Sequence, residues 1–172
     1  LIAETKAGRV LHVGCGGETL PEYLQQYDEV RLDIDPQFQP DILASITDLG
    51  DIGSYEGVFC SHILEHLYPH DLPQALAEVR RVLVDDGFLI AFVPDLEDVR
   101  PTQEVVYISP SGPVMGLDMY YGFTKWLKEM PYMAHHNGFV QATLQAALEA
   151  AGFSKVIVTR VGGINLMGAC RK

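Results

Sequence analysis

The stretch that most constrains this chain runs from Arg9 to Pro36, RVLHVGCGGETLPEYLQQYDEVRLDIDP. An apolar run, Val10 to Val13, breaks into Gly14-Cys15-Gly16-Gly17. A short helix-like segment follows, and a second apolar run, Val30 to Ile34, carries Asp33 near its end. A strand, a glycine turn, a helix and a strand with a carboxylate make the unit that binds adenosine-containing ligands in open α/β folds. Glycines at 14 and 16 let backbone approach a ligand where a Cβ would block it. Asp33 lies about twenty residues further on, the spacing that brings a carboxylate to ribose hydroxyls.

The rest of the chain repeats the alternation. Pro21 to Tyr27 reads as a short helix with Thr19 as its N-cap, Pro40 to Ala44 as a short third strand, and Gly57 to Ser61 as a fourth. From Leu72 to Val84, apolar residues at 72, 75, 76, 79, 82 and 83 recur at helical spacing, with Asp71 as N-cap and Pro73 in the first turn. Asp85-Asp86-Gly87 ends that helix, and Phe88 to Val93 is a fifth, fully apolar strand. Strands alternating with helices imply βαβ units and a parallel sheet. Pro94 to His136 breaks the rhythm with Pro101, Pro110, Pro113 and Pro131 and six aromatic residues, and reads as an insertion holding a helix near Met119 to Met130. Phe139 to Ala151 is an amphipathic helix closed by Gly152, and two strands around Gly162-Gly163 form a final hairpin.

Composition narrows the partners. Twelve basic residues against twenty-three acidic give a net charge of −11, a surface that repels nucleic acid and anionic lipid. No apolar run reaches the roughly 18 residues of a membrane span, and no basic-then-apolar leader precedes the first strand. The opening Leu1, in place of Met, suggests that a few native residues precede it. Cys15, Cys60 and Cys170 sit in apolar contexts at no metal-ligand spacing, as buried free thiols of a cytoplasmic protein do. At 172 residues a single domain is expected, and nothing in the pattern selects an oligomeric state.

The dinucleotide fingerprint requires glycine at position 19, where Thr19 stands, and Glu18 places a carboxylate at the mouth of the loop. Beside a pyrophosphate that carboxylate faces like charge; beside an ammonium and a sulfonium it attracts. A cationic adenosine ligand, S-adenosylmethionine, is favoured over NAD or FAD. The chain resembles the class I S-adenosylmethionine-dependent methyltransferases, in the broad type 11 group. The resemblance rests on VLHVGCGG (10–17), LDIDP (32–36), PDILASITDL (40–49), CSHILEHL (60–67) and EVRRVLVDDGFLIAFVPD (78–95), with ALEAAGF (147–153) toward the end. It implies a Rossmann-like, doubly wound α/β fold, with a seven-stranded, mostly parallel sheet and an antiparallel last strand. The segment from about 95 to 136 then serves the acceptor side.

The resemblance also implies contacts. Backbone at Gly14, Cys15 and Gly16 holds the methionine portion, Asp33 takes the ribose hydroxyls, and Ile34 packs on the adenine. Ser45 and Ile46 frame it, and Ser61 and His62 line the pocket. His12, Glu18 and Ser45 depart from the family's usual acidic residue, glycine and aspartate, so a cofactor-binding domain without transfer activity is the alternative reading. His62 acts either as a base toward the methyl acceptor or as a histidine bonded to a neighbouring carbonyl. His62-Ile63-Leu64-Glu65-His66 spells H-x-x-E-H, a zinc-protease signature elsewhere. Pro69 ends any helix there and no third ligand of convincing context follows, so no metal is assigned. His135-His136 read as a solvated helix start or a return to the pocket mouth. Tyr120, Tyr121 and Trp126 read as insertion core or cavity wall.

The cofactor reading is tested by thermal melts with S-adenosylhomocysteine and with NAD. At 100 times its Kd the right ligand adds about 2.7 kcal/mol. The homocysteine compound is expected to raise Tm and NAD to leave it unchanged; the reverse pattern refutes the reading.

Overall fold

The run from 10 to 13 becomes the interior strand β1 (Arg9–Val13) of a computed structural model that describes residues 7–109 and 111–172; Pro110 lies outside the described residues. Parallel strands flank it, β2 (Asp28–Asp33) on one side and β4 (Tyr55–Ser61) on the other. The two-residue β3 (Ile42–Leu43) closes one edge beside β2, and β5 (Leu83–Pro94) pairs β4 in parallel. A separate antiparallel hairpin, β6 (Val105–Ser109) and β7 (Gly112–Met115), stands apart from the main sheet. The last two strands, β8 (Ser154–Val161) and β9 (Asn165–Arg171), complete a seven-stranded sheet in the order 3-2-1-4-5-9-8. β9 runs antiparallel to both β5 and β8. The order reverses between β1 and β4, and in open α/β sheets the crevice at such a reversal is where ligands bind.

Side chains alternate across the strands, so each sheet face has its own core. Leu11, Val13, Val58, Cys60, Leu89, Ala91 and Val93 face the helices α1 (Leu72–Val82) and α3 (Gln141–Ala150). Val10 and Phe59 face the other way and are covered by Leu20 and Leu24. The covering segment contains a 3-10 turn, Glu22–Leu24, rather than the expected helix. Extended backbone at Pro21 starts that turn, and Thr19 does not cap it. Helix α1 buries Leu72, Ala75, Leu76, Val79 and Val82, as its period predicts, but Asp71 makes no side-chain cap. It stops at Val82 because Leu83 is already extended and pairs with Tyr55. Asp85-Asp86-Gly87 therefore lies inside β5, where Asp86 takes a left-handed backbone (φ 62°) and the register with β4 slips.

The segment between β5 and α3 is more ordered than its prolines suggest. After the hairpin comes α2 (Gly116–Tyr121), whose start is fixed by the Met115 N–H donating to Asp118 Oδ2 at 2.9 Å. The expected helix to Met130 ends at Tyr121, because Gly122 adopts φ 86° and its N–H closes on the Asp118 carbonyl. Helix α3 ends as predicted at Gly152 (φ 85°), and Gly162 and Gly163, both at positive φ, turn β8 into β9. The cysteines are free and buried, and no helix among the described residues is long and apolar enough to cross a membrane.

Helix α1 is tied to the loop before β4 by one charge pair. Arg81 donates Nε and Nη2 to the two carboxylate oxygens of Glu78, each at 2.8 Å, and Nη2 also reaches the Gly50 carbonyl at 2.7 Å. Glu78 Oε2 in turn accepts the Leu49 N–H at 3.0 Å. The Arg81 hydrogen bond, with the Leu49 N–H, holds the Glu78 carboxyl down at about 2. A value depressed below the ordinary 4.5 stabilises the fold above that pH, and the stabilisation is lost as pH falls toward 2. Glu78→Gln is expected to cost about 1 kcal/mol at pH 7, since Arg81 is half exposed. Its Tm should decline less steeply than that of the parent between pH 5 and pH 3 in parallel melts.

Candidate active site

The carboxyl ends of β1, β2 and β4 open on a cleft of about 610 Å³, within the size range of cofactor and small-ligand sites. Its inner end is the glycine turn. The Gly14 and Cys15 N–H groups both donate to the Leu32 carbonyl, at 2.8 and 3.2 Å, and the Gly16 N–H donates to Asp33 Oδ2 at 2.8 Å. Arg31 completes the turn from outside, its guanidinium donating to the Gly16 and Glu18 carbonyls at 2.5 Å each. Gly14 needs to be glycine on two counts: its φ is 65°, and a Cβ there would lie 1.9 Å from the Ile63 side chain.

Gly14, Gly16, Asp33, Ile34, Ser45, Ile46, Ser61 and His62 all line this one cleft. Cys15 does not; its side chain is buried, and burial pushes its thiol up. The Gly14, Cys15 and Gly16 N–H groups are spent within the protein, so these three residues offer a ligand space rather than free donors. Asp33 is buried, and its Oδ1 accepts the Asp35 N–H at 2.9 Å. Each of its oxygens thus has one internal partner and capacity for another. Ser45 Oγ bonds Thr47 Oγ1 at 2.8 Å in a local turn. Glu18 is exposed and does not line the cleft, so its charge does not shape the cavity. His12 faces the opposite side of the sheet, 2.6 Å from Glu29 Oε1 and edge-on to Phe59.

The outer end of the cleft comes from the segment before α3. Trp126, Met130, Tyr132, Met133 and His136 line it, facing Phe38, Leu67 and Tyr68. Tyr68 stacks on His136 with ring centroids 4.1 Å apart. Tyr132 OH donates to Asp35 Oδ2 at 2.5 Å, which fastens this wall to the end of β2. That bond first, then the Gln37 N–H, lowers the Asp35 carboxyl, while burial and Asp35 push the Tyr132 hydroxyl up to about 12. Tyr120 and Tyr121 lie outside the cleft: Tyr120 OH donates to the Val99 carbonyl, and Tyr121 is exposed.

His62 stands between the two ends. Its N–H donates to the Phe92 carbonyl at 2.9 Å, beyond the end of the β4–β5 ladder, and its φ is 58°, a strained value for a non-glycine residue. Its Nδ1 lies 3.0 Å from Oε1 of Glu65, which is 1% exposed. A carboxylate only accepts, so Nδ1 carries the hydrogen and Nε2 presents a lone pair. Burial drives the His62 imidazole down, but the Glu65 hydrogen bond and charge outweigh it and the net direction is up. The same carboxylate, resisting burial through its bond to His62, is held below its ordinary range. Sequence reasoning named Glu65 only as part of H-x-x-E-H, and it missed Arg31 and the Tyr132–Asp35 bond altogether. Nothing in the local pattern marks those contacts, because their partners lie 13 to 97 residues apart.

Residues 11–91 match a family model described as a methyltransferase domain. No curated protein sequence matches significantly. Solved structures match along nearly the whole chain. A S-adenosylmethionine-dependent methyltransferase from Mesorhizobium loti is 16% identical, with a TM-score of 0.68 over 99% of this chain and 94% of that one. The 1,6-didemethyltoxoflavin-N1-methyltransferase of Burkholderia thailandensis, solved with 1,6-didemethyltoxoflavin and S-adenosylhomocysteine, is 17% identical, with a TM-score of 0.66 over 97% and 72%. Human N-acetylserotonin methyltransferase, solved with S-adenosylmethionine, is 11% identical, with a TM-score of 0.64 over 95% and 47%. Residues 11–91 thus match a methyltransferase-domain model, and nearly the whole chain shares the fold of solved S-adenosylmethionine-dependent methyltransferases.

Proposed function

We propose that the chain transfers a methyl group to a small or medium-sized, largely apolar acceptor held beneath residues 95–136, read here as a substrate-side insertion in a single domain. The observation that carries this is the continuity of the cleft: the glycine turn and Asp33 at one end, an aromatic and aliphatic wall at the other, and His62 between them. S-adenosylmethionine, when bound, supplies a methyl group on a positively charged sulfur. The chain's part is to hold and to exclude. Asp33 has lone pairs left for ribose hydroxyls, Ile34 and Ile46 offer apolar surfaces for a base, and Ser45 and Ser61 edge the same end. Gly14, Cys15 and Gly16 form the turn against which the methionine portion lies.

Holding donor and acceptor in line supplies much of the acceleration in such a displacement. A base is needed only where the acceptor must lose a proton, and His62, with Nδ1–H fixed on Glu65, has Nε2 free to take one. The acceptor wall is apolar apart from His66 and His136, which suits a compact, uncharged or aromatic molecule. A net charge of −11 disfavours a nucleic acid in that role, and three buried free cysteines suit a cytoplasmic setting.

Calorimetry with S-adenosylhomocysteine and turnover on a panel of small aromatic metabolites test the reading. Asp33→Ala is expected to weaken binding at least tenfold, or about 1.4 kcal/mol. Tyr132→Phe should weaken it about two- to tenfold, the worth of one hydrogen bond. His62→Ala should lower kcat by about 10²–10⁴ where the acceptor loses a proton, with the cofactor Kd unchanged. Unchanged kcat removes His62 from the role of base. Tight binding without turnover of any acceptor supports the alternative, a cofactor-binding module without transfer activity.

A further inference from the structure

The loop after β4 and the segment before α3 meet at a cluster that methyl transfer does not use. Glu65, His66 and His135 each bring one ligating atom to a common point, and the three atoms lie within 4.8 Å of one another. His135 comes from 69 residues further along the chain, which is why no spacing rule in H-x-x-E-H could supply it. It is brought there by the Glu65 backbone, whose carbonyl accepts the N–H groups of His136 and Asn137 at 2.9 and 3.0 Å.

The hydrogen bonds around the cluster fix which atoms are available. His66 Nδ1 lies 3.1 Å from the Ala134 carbonyl, and His135 Nδ1 lies 2.9 Å from the Met119 carbonyl. A carbonyl can only accept, so both Nδ1 atoms carry hydrogen and both Nε2 atoms present lone pairs. This is the outer-shell arrangement that sets a histidine to bind a metal through Nε2. Glu65 Oε1 is taken by His62, while Oε2 is buried and has no hydrogen-bond partner among the described residues. With both rings neutral, each Nε2 is an electron-pair donor like the free Glu65 oxygen, and a buried carboxylate oxygen without a partner is costly unless a cation meets it.

We propose that Glu65, His66 and His135 form a binding site for a divalent metal ion of the zinc class. Two imidazoles and a carboxylate are a ligand set that zinc takes with a fourth position left open. Around tetrahedral zinc, ligand atoms at about 2.0–2.1 Å from the ion stand about 3.4 Å apart, so binding draws the three side chains together. His66 also lines the cleft, so the open position is reached from the acceptor side, where an oxygen of the acceptor can fill it. The ion also joins the end of β4 to the start of α3.

The test uses the full chain, stripped with a chelator, and zinc alone as the probe, so its failure leaves the methyl-transfer reading untouched. Calorimetry is expected to show one zinc per chain, and saturating zinc to raise Tm by about 5 °C or more. His66→Ala and His135→Ala should each weaken binding at least tenfold and remove the Tm rise, with circular dichroism unchanged. If His135→Ala does not fold, His135→Gln, which fills the space, takes its place. In the parent protein, cobalt in place of zinc should give the visible absorption of a four-coordinate site, and His135→Gln should lose it. No stoichiometric zinc uptake by the parent overturns the proposal, and so do parent-like affinities in both histidine variants.

Discussion

One buried glutamate holds the working end of this molecule together. Glu65 follows β4 by four residues and is almost wholly removed from water, yet its carboxyl is held in the ionised direction. A carboxylate in that position is tolerable only if its oxygens and its charge are met. Oε1 is met by His62, which fixes the ring's tautomer and turns the other nitrogen toward the cleft. The backbone carbonyl of the same residue accepts two N–H groups from the segment before α3 and so brings the outer wall onto the sheet. The position of His62 and the closure of the outer wall thus both depend on one short loop after one strand.

The two ends of the cleft are built by different physics. The inner end is backbone geometry: a left-handed glycine against Ile63, N–H groups drawn to Leu32 and Asp33, and carbonyls clamped by Arg31. Such a turn is rigid because almost every polar group in it is satisfied internally, which preorganises the space it leaves. The outer end is side-chain packing around aromatic rings, with a single tyrosine hydroxyl bonded to Asp35.

Some of this was readable from residues alone. Apolar runs of four to six residues between glycine turns identify buried parallel strands, because a strand covered on both faces has no polar alternation. The spacing from Gly14 and Gly16 to Asp33 placed those three groups at one site, because a strand, a turn and a return strand have little freedom in how they close. Ile34, Ser45, Ile46, Ser61 and His62 were implied by the family resemblance alone. Helix ends were less legible. The stretch 21–27 holds only a 3-10 turn after the extended backbone of Pro21, and the helix starting at Leu72 gives way two residues early because Leu83 gains a strand partner in Tyr55. Glu18, given weight for its charge, is exposed and does not line the cleft, since sequence fixes a residue's order along a loop but not what its side chain faces.

Local periodicity and short, stiff connections were enough to settle the mostly parallel sheet and to bring Gly14, Gly16 and Asp33 together at the inner end of the cleft. The tertiary structure alone decided what faces that inner end. Tyr132 against Asp35, 97 residues away, and His135 beside Glu65 and His66 are contacts between segments with no pattern in common. They are brought together by the Tyr132 hydroxyl reaching Asp35 and by the Glu65 carbonyl accepting the His136 and Asn137 N–H groups, pairings that local periodicity does not encode.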